Sequence, residues 1–447
     1  MFMILIKRSI FVVTIKILAG SYFIILPPPV RAEFSAIIEQ EFSFNEQLNS
    51  EKYETLIKPE WRFDYGNNAQ FVFKPKLRFD GLNRLSRATD KPENYSGING
   101  TLFKNSHLDL MLDELYFDLE LENTYWRIGK QQVVWGQADG LKILDVINPQ
   151  NFREFILDEF EDSRIPLWML NIEIPINDES NLQVLWIPDL TYHEFAEPGS
   201  TFQITSPIFV PQISDNFTLG QFVQNKPNSF FFDSDLGLRY ATFYRGWDLT
   251  LNYLFFYDDS PVLYQQLEDS RINIDSRYQR SHLVGATANN VFGDLTLRTE
   301  IGYRSKQYYL MHFSPQIISE YRGVFETNEI SSVIGLDWQG FDDIFLSFQW
   351  FQSYLFDYHS QVAAPRNNHI VSLLYRQSFE NENWQFELLH LYGLDKTDSS
   401  LQLEISYLLE DNFKIWAGAD FFSGDIQGLF GQFSDKDRIT MGFEWGI

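Results

Sequence analysis

The least regular stretch of the chain is residues 126–169, which read WRIGKQQVVWGQADGLKILDVINPQNFREFILDEFEDSRIPLWM. Both ends of this stretch resemble β-strands, whereas its middle is too polar and too irregular for one. Asn is a preferred N-cap and Pro fits the first helical position, so Asn148-Pro149 predicts the start of a short helix over residues 150–158. A dense charge cluster follows at residues 159–164. A structured, charged insertion therefore lies between two predicted strands.

Segments of alternating polarity flank this insertion on both sides. In one of them, Phe71, Phe73 and Phe79 fall on one face of a strand, and Lys74 and Lys76 fall on the other. About ten residues is the length that a tilted strand needs to cross hydrocarbon. The apolar faces carry Trp and Tyr near their ends, as in the aromatic girdles of outer-membrane barrels. The pattern favours an all-β fold, a transmembrane antiparallel β-barrel, over a soluble β-sandwich.

The alternation predicts about eighteen strands, or sixteen if residues 34–45 or 180–187 do not form one. The predicted strands cover residues 34–45, 52–65, 69–80, 109–122, 125–135, 166–176, 180–187, 235–245, 247–257, 280–290, 294–305, 328–339, 343–354, 368–379, 383–393, 399–409, 412–422 and 437–446. Every second join is a short turn. The joins between those turns are mostly long, at residues 81–108, 136–165, 188–234, 258–279, 306–327, 355–367 and 423–436. In outer-membrane barrels the short turns are periplasmic and the long loops face outward.

The first 32 residues are predicted to be a removable signal peptide. The basic pair Lys7 and Arg8 precedes a mostly apolar run, and Val30-Arg31-Ala32 fits a cleavage site. A membrane-spanning helix is disfavoured, because a lysine and a run of three prolines shorten the apolar segment. The predicted organisation is a signal peptide at 1–32 and a barrel at 33–447, with a constriction or plug loop at 137–165 and a long extracellular loop at 188–234. The protein is therefore expected in the outer membrane of a Gram-negative cell.

Composition restricts the classes of function and partner. The 447-residue chain has a formal net charge of −26, which argues against nucleic-acid binding because such binding needs a basic face. Aromatic residues make up 17% of the chain and cysteine is absent. An acidic, aromatic-rich chain without long apolar runs fits a barrel whose outer face contacts outer-membrane lipid and lipopolysaccharide.

The C-terminal segment has its own signal. It places Ile439, Met441, Phe443 and Trp445 on one face and small or polar residues on the other. This arrangement is similar to the C-terminal strand by which barrel-assembly machinery recognises outer-membrane proteins. The match is imperfect, because such strands commonly finish on an aromatic residue and this one finishes on Ile447.

The sequence carries no motif for catalysis. It has no phosphate-binding glycine loop, no HExxH motif and no cysteine nucleophile, and its seven histidines are scattered. Acidic pairs such as Asp258-Asp259 match no complete calcium loop and are more simply solvated charge. We therefore expect no enzyme activity, no cofactor and no metal site.

Charged residues are predicted to face the lumen from neighbouring strands. The basic set is Lys58, Arg62, Lys74, Lys76 and Arg78, and the acidic set on the next strand is Glu114, Asp118 and Glu120. Oppositely charged walls set the field and the ion selectivity of a pore. Alternatively, the charges pair with one another and close a plugged lumen. The sequence leaves both interpretations open.

The insertion joins predicted strands five and six on the outward side of the barrel. Phe152, Phe155 and Ile156 would form an apolar face that a fully exposed loop does not need. We therefore expect the loop to fold inward and to constrict the lumen. The predicted constriction residues are Trp135, Asp139, Asp145, Asn148, Pro149, Arg153, Glu154, Glu161, Asp162 and Arg164. The alternative is a lid over the barrel mouth, since external loops also form ordered caps.

Five motifs lie in and beside the same insertion, at residues 127–136, 139–140, 145–149, 153–154 and 161–169. They resemble those of the domain of unknown function 1302 family of Gram-negative outer-membrane proteins. The resemblance implies a porin-like outer-membrane barrel, often encoded beside inner-membrane exporters of the resistance-nodulation-division (RND) superfamily. It also implies transport of hydrophobic or lipid-like compounds, and it supplies no catalytic residues.

Three functions are compatible with this pattern. The first is an outer-membrane channel or transport component in which the insertion is the constriction. The second is a structural or adhesive surface protein whose long loops bind external partners. An embedded lipid hydrolase is the weakest of the three, because no catalytic motif supports it.

Overall fold

The computed structural model describes residues 12–17, 20–25, 31–82 and 94–447. Eighteen antiparallel strands of the described residues close into one barrel, so the predicted fold class and strand count are confirmed. Numbered in chain order, the barrel strands are β1 Arg31–Asn45, β2 Ser50–Asp64, β3 Ala69–Asp80, β4 Leu108–Leu121, β5 Thr124–Gln131, β6 Leu167–Asn177, β7 Ser180–Ile187, β8 Asp235–Tyr244, β9 Trp247–Tyr257, β10 Arg280–Phe292, β11 Leu295–Leu310, β12 Val324–Phe341, β13 Ile344–Leu355, β14 Asn367–Phe379, β15 Trp384–Gly393, β16 Asp398–Glu410, β17 Phe413–Ser423 and β18 Arg438–Gly446. Within the described ranges, the helices are α1 Phe160–Ser163, α2 Pro315–Tyr321 and a 3-10 turn at Gly431–Phe433.

The wall is continuous where the chain ends meet and where the insertion leaves it. β18 pairs with β1, with Trp445 opposite Ile38. β5 pairs with β6, with Leu167 opposite Gln131, so residues 132–166 emerge from two neighbouring strands. We call residues 132–166 the inward loop.

Short turns lie at one end of the barrel and long loops at the other, as predicted. The join predicted at residues 306–327 is shorter than expected, because the ladder between β11 and β12 continues to the pair Leu310–Val324. A bulge between Arg304 and Gln307 interrupts the alternation of inward and outward residues, so the sequence pattern does not reveal that the strand continues. The remaining loop contains α2, whose N-cap Ser314 accepts a hydrogen bond from the Ile317 amide at 3.1 Å.

The long loops also build structure outside the barrel. Thr218–Asn225 runs parallel to Arg271–Arg277, which pairs antiparallel with Val262–Glu268. These segments form a three-stranded sheet separate from the barrel. The 188–234 loop is therefore ordered where its residues pair with the neighbouring loop.

Alternation along the strands separates an outer from an inner face. Ile439, Met441 and Trp445 are exposed on the outside of β18, whereas Thr440 is buried. The largest buried apolar cluster lies inside the barrel, where loop residues such as Trp135, Phe155 and Phe430 pack on inward residues of the wall. Its loop and wall members include Val133, Trp135, Leu144, Phe155, Phe202, Phe430, Leu185, Leu283 and Phe351. One side of the lumen is thus filled.

The predicted signal peptide lies mostly outside the described residues. Within it, Val12–Ile17 and Gly20–Ile25 pair with each other. Among the described residues, none of the helices has the length and apolar character needed to span a bilayer.

Candidate functional site: a loop folded into the barrel

The helix predicted over residues 150–158 is wrong. Gln150 instead forms an isolated bridge with Arg164, and Asn151–Phe152 pairs in parallel with Glu194–Phe195 of the 188–234 loop. The helix α1 begins ten residues later than expected, at Phe160.

Asn148 explains the error, because its side chain does not cap a helix. Its Oδ1 accepts a hydrogen bond from the Val133 amide at 2.8 Å, and its Nδ2 donates to the carbonyls of Gln131 and Ile165 at 3.3 and 3.0 Å. Asn148 is buried and ties the two ends of the inward loop together. Phe155 then takes a φ of 58°, which a right-handed helix cannot contain.

The inward loop reaches deep into the barrel rather than over its mouth. Arg298, the fourth residue of β11 after a short turn, forms an ion pair with Asp139 of the loop. Arg298 also binds Asp337 of β12 at 2.7 Å. The Asp139 amide donates to Gln349 Oε1 at 3.1 Å, near the middle of β13. The loop apex therefore touches the half of the wall that lies nearer the short turns.

A buried cluster of ion pairs fixes one flank of the loop to the wall. The Glu154 carboxylate forms ion pairs with Lys52 of β2 at 2.5 Å and with Arg438 of β18 at 2.8 Å. Next to it, Arg153 binds Glu54 of β2 at 3.2 Å. All of these side chains are less than one-tenth exposed. Since Arg438 also pairs with Asp420 of β17 at 2.7 Å, the cluster joins the loop to three strands.

A second ion-pair cluster lies around Asp162. Its carboxylate forms ion pairs with Lys58 of β2 and Lys76 of β3, both at 3.0 Å. Burial alone would raise the pKa of Asp162, but the two ammonium groups outweigh it and lower the pKa to about 2. Among the described residues, Asp158 forms no such ion pair. Burial, reinforced by the nearby Glu154 carboxylate, raises the pKa of Asp158 to about 7.

Other contacts within the loop hold its shape. Asp145 binds Arg164 at 2.9 Å and Lys142 at 3.3 Å. Burial lowers the pKa of Lys142 to about 8 despite the Asp145 carboxylate. Trp135 is buried and its indole Nε1 donates to Gln183 of β7 at 2.8 Å.

The apolar face of the loop packs inside the barrel. Phe155 contacts Phe433, with ring centroids 4.7 Å apart, and lies near Phe422 and Phe430. Phe152 packs on His193 and Phe195 of the 188–234 loop. Burial lowers the pKa of His193 to about 3, in keeping with its Nδ1 accepting from the Gln150 amide at 2.8 Å. Two long loops therefore pack against each other within the lumen.

The remaining predicted loop residues occupy different places. The Pro149 carbonyl accepts a hydrogen bond from the Ile165 amide at 2.8 Å, next to the Asn148 contacts. Glu161 is exposed and lines the remaining cavity. Within the described part of the chain its carboxylate forms no ion pair, so the structure does not bring it into either cluster.

The predicted basic strip is paired residue by residue. Lys74 binds Glu114 at 2.9 Å, and Arg78 binds Glu54. Arg62 binds Glu60 of its own strand. Asp118 lies opposite Gln70 rather than a residue of the strip, and it pairs with Arg127 at 2.7 Å. Glu120 is exposed near the short-turn end of β4 and joins none of these pairs.

A cavity of about 900 Å³ remains beside the inward loop. Counted over the described residues, its lining contains fifteen Asp and Glu residues against eleven Lys and Arg residues. The acidic set includes Glu387, Glu404 and Glu444 of β15, β16 and β18, and Glu387 pairs with Arg376 of β14 at 2.8 Å. The lumen is therefore narrowed but not filled, and its lining is charged rather than apolar.

Several of these residues escaped the sequence prediction. Lys52 and Arg438 lie at strand ends, where alternation is weakest. Glu387 and Glu404 lie opposite each other on β15 and β16, and strict alternation along those two strands would have placed both on the inner face.

The barrel and its lumen-crossing loop define a porin-type β-barrel. The model of the family described as "Protein of unknown function (DUF1302)" matches residues 60–369, and the chain belongs to that family. No curated protein matches the chain.

The chain is similar in fold to several solved structures of low sequence identity. OpdK of Pseudomonas aeruginosa, crystallised with vanillate, has a TM-score of 0.51 and 8% identity over 93% of this chain and 98% of its own. OccAB3 of Acinetobacter baumannii has a TM-score of 0.51 and 11% identity over the same shares. A BenF-like porin of Pseudomonas fluorescens Pf-5 has a TM-score of 0.51 and 9% identity over 94% of this chain and 99% of its own. At these identities the likeness concerns the fold.

Proposed function

We propose that this protein is a channel in the Gram-negative outer membrane, delivered by a signal peptide at residues 1–32 and inserted by barrel-assembly machinery. The observation that carries the proposal is the cavity of about 900 Å³ that remains inside a closed barrel beside a loop held by buried ion pairs. A purely structural barrel does not need an ion-pair scaffold around an open space lined by charged residues. The inward loop, with the residues predicted for it, is the constriction.

Liposome swelling tests the proposal. Vesicles that contain the purified protein should swell in small sugars and stop swelling above a size limit. A heat-unfolded sample is the control. Vesicles that behave like protein-free ones with every solute would refute the channel.

The finer part of the proposal concerns substrate and partner. The transported compounds are hydrophobic or lipid-like, and the partner is an RND-type inner-membrane exporter. The family resemblance supports both parts. Cells that lack the protein should then retain hydrophobic compounds that the parent cells export. Unchanged efflux together with sugar-induced swelling would remove the exporter and keep the channel.

A second candidate for the transported class is a small polar cation. The observation that favours it is the acidic surplus of the cavity lining. A charged wall attracts counter-ions and raises their local concentration. In a KCl gradient across a planar bilayer, the reversal potential should have the sign of cation selectivity. An anion-selective potential would refute this candidate.

The adhesive alternative rests on the sheet that the long loops form outside the barrel. Deletion of Val262–Arg277 should abolish surface adhesion without changing permeability if adhesion is the function. Adhesion that survives the deletion would count against this alternative.

A further inference from the structure

A run of three phenylalanines near the end of the 188–234 loop is open to the surroundings. Phe230, Phe231 and Phe232 are 42%, 71% and 90% exposed. Three consecutive large apolar side chains at such exposure are unusual on a surface that faces water, because contact between apolar area and water is unfavourable. Their surroundings show where they point.

The run lies against the outer face of the barrel wall. On β7, Gln183 and Leu185 are buried on the inner side, so Trp186 between Leu185 and the strand end faces outward. Phe231 stacks on Trp186 with ring centroids 6.0 Å apart, and Phe230 meets it edge-on at 5.5 Å. The run therefore extends the outer surface of the wall beyond the last residues of the strand.

A polar network fixes the run in this position. Asp233 Oδ2 accepts hydrogen bonds from the amides of Asn228 and Ser229 at 3.0 and 2.8 Å. Tyr257 donates to Asp233 Oδ1 at 2.9 Å. Arg280 donates to the Phe232 carbonyl at 3.2 Å. The exposure of the three rings is thus imposed by contacts to the barrel rim.

We propose that Phe230, Phe231 and Phe232 insert into the acyl chains of the outer leaflet and anchor the 188–234 loop to the membrane surface. The occupant is lipid because the run continues the lipid-facing wall. Leu236, the ladder partner of Trp186, and Leu238 are 49% and 44% exposed on the same outer face. Aromatic side chains also suit the boundary between water and hydrocarbon. The inference rests on the proposed membrane location.

The cysteine-free chain allows a direct test. Single variants Phe232→Cys and Phe231→Cys are labelled with an environment-sensitive fluorophore and reconstituted into phosphatidylcholine vesicles with nitroxide groups on the acyl chains. Leu238→Cys serves as the lipid-facing control. Ser360→Cys, in the exposed loop after β13, serves as the water-facing control. We expect a blue-shifted emission at position 232 and nitroxide quenching close to that at position 238.

The controls separate the possible failures. Quenching at position 232 no greater than at position 360 would overturn the inference while position 238 still reports a barrel in lipid. A blue shift without nitroxide quenching would also overturn it, because a protein surface would then cover the run. An unquenched position 238 would instead contradict the membrane location itself.

Discussion

At the scale of single residues, the stability of the fold depends on buried ion pairs, and removing one member of such a pair is expected to be destabilising. Glu154 is 1% exposed and receives both Lys52 and Arg438. Removing one partner of a buried ion pair leaves an uncompensated charge, which costs about 3–5 kcal/mol. Glu154→Gln should therefore lower the free energy of unfolding by about that amount, as measured by urea titration in detergent.

An exposed ion pair of the same wall provides the control. Arg62 is half exposed and pairs with Glu60 of its own strand. Surface pairs contribute about 0–1 kcal/mol, so Arg62→Gln should change the stability little. Equal losses in the two variants would contradict the assignment of Glu154 as the loop's anchor.

Asp158 should make stability depend on pH near neutrality. Its pKa is raised to about 7 by burial, with Glu154 and Asp162 of the loop and Lys52 and Glu54 of β2 around it. The folded chain therefore holds a proton that the unfolded chain releases near pH 4. The free energy of unfolding should fall as pH rises from about 4 to about 7 and level off above that, and Asp158→Asn should flatten this slope between pH 5 and 7 in urea titrations.

Asp162→Asn is the matched control for this pH dependence. The pKa of Asp162 is lowered to about 2, so its carboxylate keeps its charge over the whole interval. The variant should lower stability by a similar amount at every pH and leave the slope as it is. A slope that survives Asp158→Asn and disappears with Asp162→Asn would reverse the two assignments.

At the scale of elements, the inward loop packs on wall positions that lack a side chain. Leu144 lies against Gly285 of β10 and Gly302 of β11, and a Cβ at position 285 would overlap its Cδ2 atom. Gly285→Val should displace the loop apex and change the single-channel conductance. Leu144→Ala in the same chain removes the overlap and should restore the conductance. No rescue by the second substitution would show that position 285 acts through the wall alone.

The elements differ in how far they could be predicted. The wall was predictable, because an alternation with period two identifies each strand face, as for Phe71 and Lys74. The inward position of Asp162 and Arg153 followed from the apolar face of the loop. The prediction of a helix at residues 150–158 was wrong. Asn148 and Pro149 match a helix start locally, but the Asn148 side chain forms hydrogen bonds with the backbone of Gln131 and Val133 instead. Such tertiary hydrogen bonds leave no trace in local sequence.

At the scale of the whole molecule, a closed wall and an internal scaffold have separate roles. The eighteen strands satisfy one another's backbone groups, as a lipid environment requires. Loops between strands fill one side of the lumen with apolar side chains, and ion pairs hold the inward loop beside a charged cavity. The pairing of Lys74, Arg78 and Lys76 with carboxylates explains how a strip of positive charge is tolerated within the lumen.

The central claim is that the inward loop constricts a conducting lumen, and single-channel recording tests it most directly. Wild-type protein in a planar bilayer should give discrete conductance steps, and deletion of residues 138–161 should enlarge them. Deletion of the external hairpin Val262–Arg277 is the matched control and should leave the steps unchanged. Heat-dependent gel mobility confirms that each variant is a folded barrel. Folded wild-type and loop-deleted proteins that are both electrically silent would contradict the account.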